Sequence, residues 1–418
     1  MTILYAGGRI LTGVNGECLE GDVGVVIEGA HIVVAGRREA LLVQHHPTSI
    51  VECGQDTTIL PGLIDTHVHL AFDGSPQPVD RLMEADEVTR IAIMLWNARQ
   101  LLSAGVTTAR DLGAPWGLDK RVKKLITSGL ARGPRLQTVT APLTITGGHC
   151  WFFGGECDGV AAVRVQVRKA RREGAEAIKM IATGGNMTPG TLPSEPQFTQ
   201  DEMNALVEEA HKYGLRVAAH AHGAEGMRRA IIAGVDSLEH FSFTTAQGFF
   251  DEDREIVQMA AERNIFVTKT LCAALDGPSR GMNPPQMMRS LIDGGVQIVA
   301  GTDAGIDNAP HCEYVFALEG MAAYGMSHEE VLDAATARAA RSLGLEEVTG
   351  TIQPGKSADL IAVHGDPRRD LGVLRNLHIV LSQGVLYTPE FVSQRRWNDE
   401  PQEPLYRPNT THKRVKSR

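Results

Sequence analysis

The alternation of short apolar segments with amphipathic segments constrains the fold of this 418-residue chain more than any other feature. Eight apolar segments lie at 58–69, 106–110, 135–139, 177–181, 216–220, 237–240, 265–268 and 296–300. Helical periodicity marks stretches between them, at 88–102, 160–173 and 201–213. A strand–helix succession of this kind predicts an α/β fold with a parallel sheet. Eight repeats favour a closed (β/α)8 TIM barrel over an open sheet.

Both ends of the chain have a different pattern, in which short strands are separated by glycine turns. Residues 1–59 and 350–393 therefore predict one small β-sandwich domain, formed by both chain ends. The barrel then occupies residues 60–349. A further helix is expected at 331–343. Residues 394–418 are polar and contain proline, which predicts an extended C-terminal tail.

Charge and composition limit the partners that the chain is expected to have. The net charge is −9, which argues against nucleic acid and against an anionic membrane surface. Six cysteines are spread widely without a CxxC pair, as in a reduced, cytoplasmic protein. No signal peptide and no long apolar span are recognisable in the sequence. A small-molecule substrate and a symmetric homo-oligomer are the expected partners.

His67 and His69 are the first candidate metal ligands, at the end of the first apolar segment. Residues i and i+2 of a strand share a face, so both imidazoles can approach one ion. The carboxyl ends of parallel barrel strands form the catalytic rim. Two histidines at this spacing also occur without a metal. The segment before them, 61–65, is typical of a buried strand entry and therefore favours a metal site.

Three further candidates follow later strands at the same predicted rim. His220 and His240 end the fifth and sixth apolar segments, and Asp303 follows the eighth. An Asp between Thr and Ala is more often a turn or cap residue, but its position after the eighth strand favours a ligand that also accepts a proton. His222 forms a second HxH pair with His220. We expect it to contact substrate or to pack beside the ligand.

Lys179 lies within the apolar segment Ala-Ile-Lys-Met-Ile at 177–181. A buried, unpaired ammonium is costly and tends to lose its proton. One alternative is a lysine that extends to the surface from a strand edge. The other is a neutral amine that adds CO2 and becomes an anionic carbamate, able to bridge two cations. The apolar surroundings favour the carbamate.

Taken in order, these residues resemble the metal-binding set of the amidohydrolase superfamily. The set comprises the segment PGLIDTHVH at 61–69, then Lys179, His220, His240 and Asp303. Segments 146–149, 178–185 and 233–240 resemble the Xaa-Pro dipeptidase and imidazolonepropionase-related branch. Segment 350–360 resembles the return of that family to its β-sandwich, so the resemblance extends to about residue 390.

The resemblance implies a centre of two divalent metals. His67 and His69 would bind the more buried metal, and His220 and His240 would bind the second. Lys179, as its carbamate, would bridge the two. These donors suit zinc, although manganese, iron, cobalt and nickel accept the same set.

The resemblance to the amidohydrolase superfamily also implies two catalytic residues. Asp303 would bind the first metal and transfer a proton, and His149 would lie over the metals and polarise the scissile carbonyl of the substrate. The expected reaction is hydrolysis of an amide C–N bond by metal-activated hydroxide. The expected substrates are small molecules such as N-acyl amino acids, Xaa-Pro dipeptides or aryl amides.

The chain departs from the dipeptidase pattern after His240. It has Phe241 and Phe243 in a stretch where those enzymes carry Gly and often Tyr, so we expect both rings to shape the substrate-binding face. Two alternatives stay open. One is a mononuclear, imidazolonepropionase-like hydrolase or deaminase of cyclic amides, in which Lys179 is not carbamylated. The other is a non-catalytic scaffold, which the complete ligand set disfavours.

Overall fold

The computed structural model describes residues 2–272 and 284–390, and within these ranges it has an α/β fold with parallel sheets. The strands are β1 (Thr2–Leu11), β2 (Cys18–Glu28), β3 (His31–Arg37), β4 (Ser49–Pro61), β5 (Leu63–Val68), β6 (Val106–Asp111), β7 (Arg135–Thr138), β8 (Ala177–Ile181), β9 (Arg216–Ala221), β10 (Ser237–His240), β11 (Phe266–Thr270), β12 (Gln297–Gly301), β13 (Leu360–His364), β14 (Leu377–Ser382) and β15 (Val385–Tyr387). The helices are α1 (Arg38–His45), α2 (Pro78–Glu84), α3 (Glu87–Ser103), α4 (Leu118–Thr127), α5 (Val160–Glu173), α6 (Gln200–His211), α7 (Ala224–Ala233), α8 (Arg254–Glu262), α9 (Pro284–Asp293), α10 (Tyr314–Ala323), α11 (His328–Ala334) and α12 (Ala337–Leu343).

Strands β5 to β12 form two parallel sheets, of three and five strands. Backbone hydrogen bonds connect the sheets at both of their edges. On one side the amide of Leu143, which follows β7, donates to the carbonyl of Lys179 in β8 at 2.8 Å. On the other side the amide of Asp303, after β12, donates to the carbonyl of His67 in β5 at 2.8 Å. This arrangement fits the predicted TIM-barrel-like fold.

The first predicted apolar segment, 58–69, is two strands and not one. Strand β4 ends at Pro61 and pairs with β13, whereas β5 begins at Leu63 and pairs with β6. Gly62 separates them, and its amide donates to the carbonyl of Asp359 at 2.9 Å. A Cβ atom at Gly62 would lie 2.0 Å from Oγ1 of Thr107, so only glycine fits where the chain passes between the sheets.

Both chain ends contribute to one seven-stranded sheet, with the order β15-β14-β13-β4-β1-β2-β3. Apolar side chains from both ends share one core cluster, among them Val25, Ile59, Leu360 and Leu381. A sheet built from both ends agrees with the sequence analysis. The β-sandwich and the proposed domain boundaries stay predictions, and the predicted tail at 394–418 lies outside the described residues.

The helices follow the predicted pattern with one correction. The expected helix at 331–343 is two helices, α11 and α12, because Thr336 between them has φ −137° and ψ −94° and interrupts the helical backbone. Helix α6 begins with a capping box, in which the side chains of Thr199 and Glu202 bond to each other's backbone amides. Of the helices in the described part of the chain, none is long and apolar enough to cross a membrane.

Candidate active site

Three predicted ligands, His67, His69 and Asp303, meet at the carboxyl end of β5. The Nε2 atoms of the two histidines are 3.3 Å apart. Oδ1 of Asp303 lies 3.1 Å from Nε2 of His67 and 3.3 Å from Nε2 of His69. All three residues are buried and each directs one ligand atom to the same point, as a metal site requires.

Asp65 holds together the two strand ends that carry these ligands. Its Oδ1 accepts hydrogen bonds from the amides of His67 and Thr302, both at 3.1 Å. Its Oδ2 accepts one from the hydroxyl of Thr302 at 2.6 Å. The carboxylate therefore links the end of β5 to the turn after β12, one residue before Asp303.

A second group lies at the ends of β9 and β10 and contains His220, His222 and His240. Each pair of rings has its centroids 4.6 Å apart. The structure thus brings His220 and His240 together as expected, and it adds His222 to the same group. Nδ1 of His240 lies 3.9 Å from Oδ2 of Asp303, so the two groups adjoin.

Lys179 lies on β8 and lines the cavity that contains both groups. It is only 2% exposed, and its Nζ has no hydrogen-bond partner among the described residues. Burial lowers the pKa of Lys179 to about 8, against the opposing effect of the Glu239 and Asp303 carboxylates. A larger neutral fraction makes the amine a better nucleophile toward CO2.

His149 lies in the loop after β7 and faces His220, with the ring centroids 4.7 Å apart. Its Nδ1 is hydrogen-bonded to Oγ1 of Thr188 at 2.9 Å, which fixes the ring. A Cβ atom at Gly185 would lie 2.4 Å from Nε2 of His149, so glycine is required for this approach. Burial lowers the pKa of His149 to about 4, and the ring is therefore neutral near pH 7.

A buried network that was not predicted from the sequence lies behind His67. Oε2 of Glu239 lies 2.8 Å from Nδ1 of His67, and Oε1 accepts from Nη2 of Arg110 at 2.8 Å and from Oγ of Ser237 at 2.7 Å. Burial raises the pKa of Glu239, but Arg110 and the His67 hydrogen bond outweigh it and hold the pKa below its usual value. Because a carboxylate only accepts, Nδ1 of His67 carries the hydrogen and Nε2 is left for a metal.

Two signals could have indicated this network. Arg110 is a charged residue within an apolar strand, as Lys179 is. Glu239 is likewise a charged residue within the apolar segment 237–240, and in the structure it pairs with His220 of the neighbouring strand.

A cavity of about 720 Å³ opens over both ligand groups. His149 and His222, two of the expected substrate contacts, line it. The structure does not bring Phe241 and Phe243 to it: both rings are buried in the apolar core, with 0% and 2% exposure. Both residues have positive φ, 49° and 50°, and Ser242 between them lines the cavity instead.

Lys269, near the end of β11, is a second buried lysine at this cavity that the sequence analysis did not identify. It is 4% exposed, and its Nζ donates to the carbonyl of His240 at 2.9 Å. Burial lowers the pKa of Lys269 to about 7, and the thiol of Cys272 opposes this shift.

Comparison with known proteins confirms the resemblance found in the sequence. The model of the amidohydrolase family matches residues 58–394. Ochratoxinase from Aspergillus niger is 30% identical, over 90% of this chain and 83% of its own length. Imidazolonepropionase from Paracoccus denitrificans is 27% identical, over 81% of this chain and 88% of its own.

Among solved structures, a Xaa-Pro dipeptidase with methionine bound in its active site has a TM-score of 0.82 and 29% identity. The match covers 93% of this chain and 100% of the dipeptidase. This chain therefore belongs to the amidohydrolase family and is an enzyme that hydrolyses amide-type bonds.

Proposed function

We propose that this enzyme hydrolyses an amide C–N bond of a small molecule at a centre of two divalent metals. The observation that carries the proposal is the pair of adjoining ligand groups, with the unpartnered Nζ of Lys179 in the same cavity. The strands β5 to β12 form the closed (β/α)8 barrel in this proposal. The β-sandwich domain that we propose beside it is the one predicted from the sequence, at 1–59 and 350–393, of which residues 1 and 391–393 lie outside the described ranges.

The donor set fits divalent metals. Imidazole nitrogens and a carboxylate oxygen are the ligands that zinc prefers. His67, His69 and Asp303 would hold one ion, and His220 and His240 would hold the other, with His222 beside them. A neutral buried amine without a partner is costly. Addition of CO2 with loss of a proton would convert Lys179 into a carbamate, whose single negative charge is shared by two oxygens that suit divalent metals.

Bound metals of this kind polarise a carbonyl group and lower the pKa of water toward neutrality. Asp303 accepts the proton of the attacking water and passes it to the leaving nitrogen. His149, neutral and fixed by Thr188, donates a hydrogen bond to the carbonyl oxygen as negative charge develops there.

The substrates that we propose are N-acyl amino acids, Xaa-Pro dipeptides and aryl amides. The similarity to a Xaa-Pro dipeptidase supports an amide with an amino-acid portion. The methionine bound in the dipeptidase supports the same class.

A screen of these three classes with zinc-reconstituted protein tests the proposal. We expect amide hydrolysis by the wild type, and none by the Asp303→Asn variant with its metal retained. Failure on all three classes, together with hydrolysis of an ester or lactone, would contradict the amide assignment. Near-normal activity of Asp303→Asn would contradict the role of that carboxylate.

The similarity to imidazolonepropionase favours one second candidate, a mononuclear enzyme that opens a cyclic amide without carbamylation of Lys179. Metal content separates the two candidates, since the mononuclear enzyme is active with a single ion per chain. Membership of a hydrolase family argues against the non-catalytic scaffold.

A further inference from the structure

Among the described residues, the buried cations are paired with carboxylates, with two exceptions at the cavity. Arg110 is paired with Glu239 at 2.8 Å, and Arg375 with Glu319 at 2.6 Å. Lys179 has no such partner, and its carbamylation in the proposed function removes the positive charge. Lys269 is the second exception.

Lys269 makes one hydrogen bond, to the carbonyl of His240, and no ion pair with a carboxylate within the described ranges. An ammonium can donate three hydrogen bonds, so two of its donors have no acceptor among the described residues. Burying such a group without an anion is unfavourable, and structural lysines are rarely fully buried without a partner. No described residue supplies that anion, and a substrate carboxylate in the cavity would supply it.

The cavity gives such an anion direct access. Lys269 lines it together with His149, His222 and Asp303. Among the described residues that line the cavity, Asp303 is the only acidic one, and it belongs to the ligand group at His67 and His69. A substrate anion at Lys269 would therefore meet no competing carboxylate among the described lining residues.

We propose that Lys269 binds a carboxylate of the substrate, so that the enzyme selects amides whose amine portion is an amino acid with a free carboxyl group. This inference rests on the proposed amide hydrolysis and narrows it. N-acyl amino acids and Xaa-Pro dipeptides carry this carboxylate, whereas simple aryl amides do not. The contact to His240, at the end of β10, keeps the amine close to the ligand group at which the amide is cleaved.

The test compares acetate release from N-acetyl-L-methionine and from its neutral N-methylamide. The proteins are the wild type, Lys269→Met, and a control, Lys124→Met, which removes an exposed lysine on α4. Loss of one charge-assisted hydrogen bond should lower kcat/KM of Lys269→Met for the acid about 10- to 100-fold. The loss should come from KM, with kcat and the activity on the neutral amide unchanged.

Calorimetric binding of methionine and of methionine amide provides a second readout. We expect the wild type and Lys124→Met to bind methionine more tightly than its amide, and Lys269→Met to bind both alike. Equal loss on the acid and the neutral amide, or no loss on either, would overturn the role of Lys269 while amide hydrolysis stands. If the wild type cleaves neither compound, the proposed function fails for N-acyl amino acids and their amides. Independently of cleavage, equal binding of methionine and its amide by the wild type overturns the carboxylate site.

Discussion

The carboxylate of Glu239 accepts a hydrogen bond from Nδ1 of His67 at 2.8 Å while Arg110 holds its other oxygen. The three residues come from β10, β5 and β6, so the contact fixes a candidate ligand across the fold. It fixes the imidazole in the tautomer whose Nε2 faces His69 and Asp303. A residue in this position acts on the metal site through His67 without binding a metal itself.

Replacing Glu239 with Gln is expected to weaken metal binding about 10- to 100-fold, because His67 loses its anionic acceptor. Competition with a chelator measures this affinity. Glu209→Gln is a matched control, since Glu209 is also buried and paired with arginines but lies on α6, outside the cavity lining. Equal metal affinity in the wild type and Glu239→Gln, with both proteins folded by circular dichroism, would contradict the positioning role.

Replacing Lys179 with Ala is expected to lower metal content from about two ions per chain to about one or fewer, because the bridging group is lost. Acetate or formate in the assay should restore part of the activity, since a small carboxylate can occupy the vacated space. Lys269→Met is the matched control for removal of a buried lysine from the same cavity. Full metal content in Lys179→Ala would show that this lysine does not bridge the two metals.

Replacing His149 with Ala is expected to lower kcat about 100- to 1,000-fold, the loss typical of removing one hydrogen-bond donor to a developing oxyanion. Metal content should be unchanged, because His149 belongs to neither ligand group. Steady-state kinetics with metal analysis on the same sample tests both statements. A drop in metal content with an unchanged kcat per metal would make His149 a ligand instead.

The regular part of this fold could be predicted from the sequence because its periodicity is local. Each of the eight apolar segments contains or overlaps one of the strands β5 to β12. The break at Gly62 could not be read from the apolar pattern, because it depends on the contact with Thr107 from another strand. Thr336 likewise interrupts a stretch whose pattern is continuous.

The difference between local patterns and long-range contacts also decides which residues of the site could be predicted. The histidines and Asp303 could be found because each lies at a strand end with a recognisable spacing. Arg110 stands out as a charged residue in an apolar strand, but its partner Glu239 lies 129 positions away, so the local pattern does not pair the two. Phe241 and Phe243 were expected at the substrate, but their left-handed backbone turns the rings into the core, a conformation that aromatic residues seldom adopt.

The hydrogen bonds of Glu209 predict how the free energy of unfolding changes with pH. Its hydrogen bond from Arg168 is the main cause that lowers its pKa to about 2. The charged form therefore stabilises the folded protein above the ordinary pKa near 4.5, and this contribution is lost as the pH falls toward 2. Glu209→Gln should lower the free energy of unfolding by about 1 to 2 kcal/mol at pH 7.

Urea unfolding of the metal-free wild type and Glu209→Gln, at pH 7 and at pH 3, measures this difference. We expect the gap between the two proteins to shrink at the lower pH. A gap that is the same at both pH values would show that the carboxylate charge contributes nothing.

Titration of metal-free wild type with zinc in bicarbonate buffer, with activity and bound metal measured at each step, tests whether the site holds two bridged metals. We expect amide hydrolysis to reach its maximum at about two zinc ions per chain and to fall when bicarbonate is omitted. Full activity at one zinc ion per chain, indifferent to bicarbonate, would contradict a two-metal centre bridged by carbamylated Lys179.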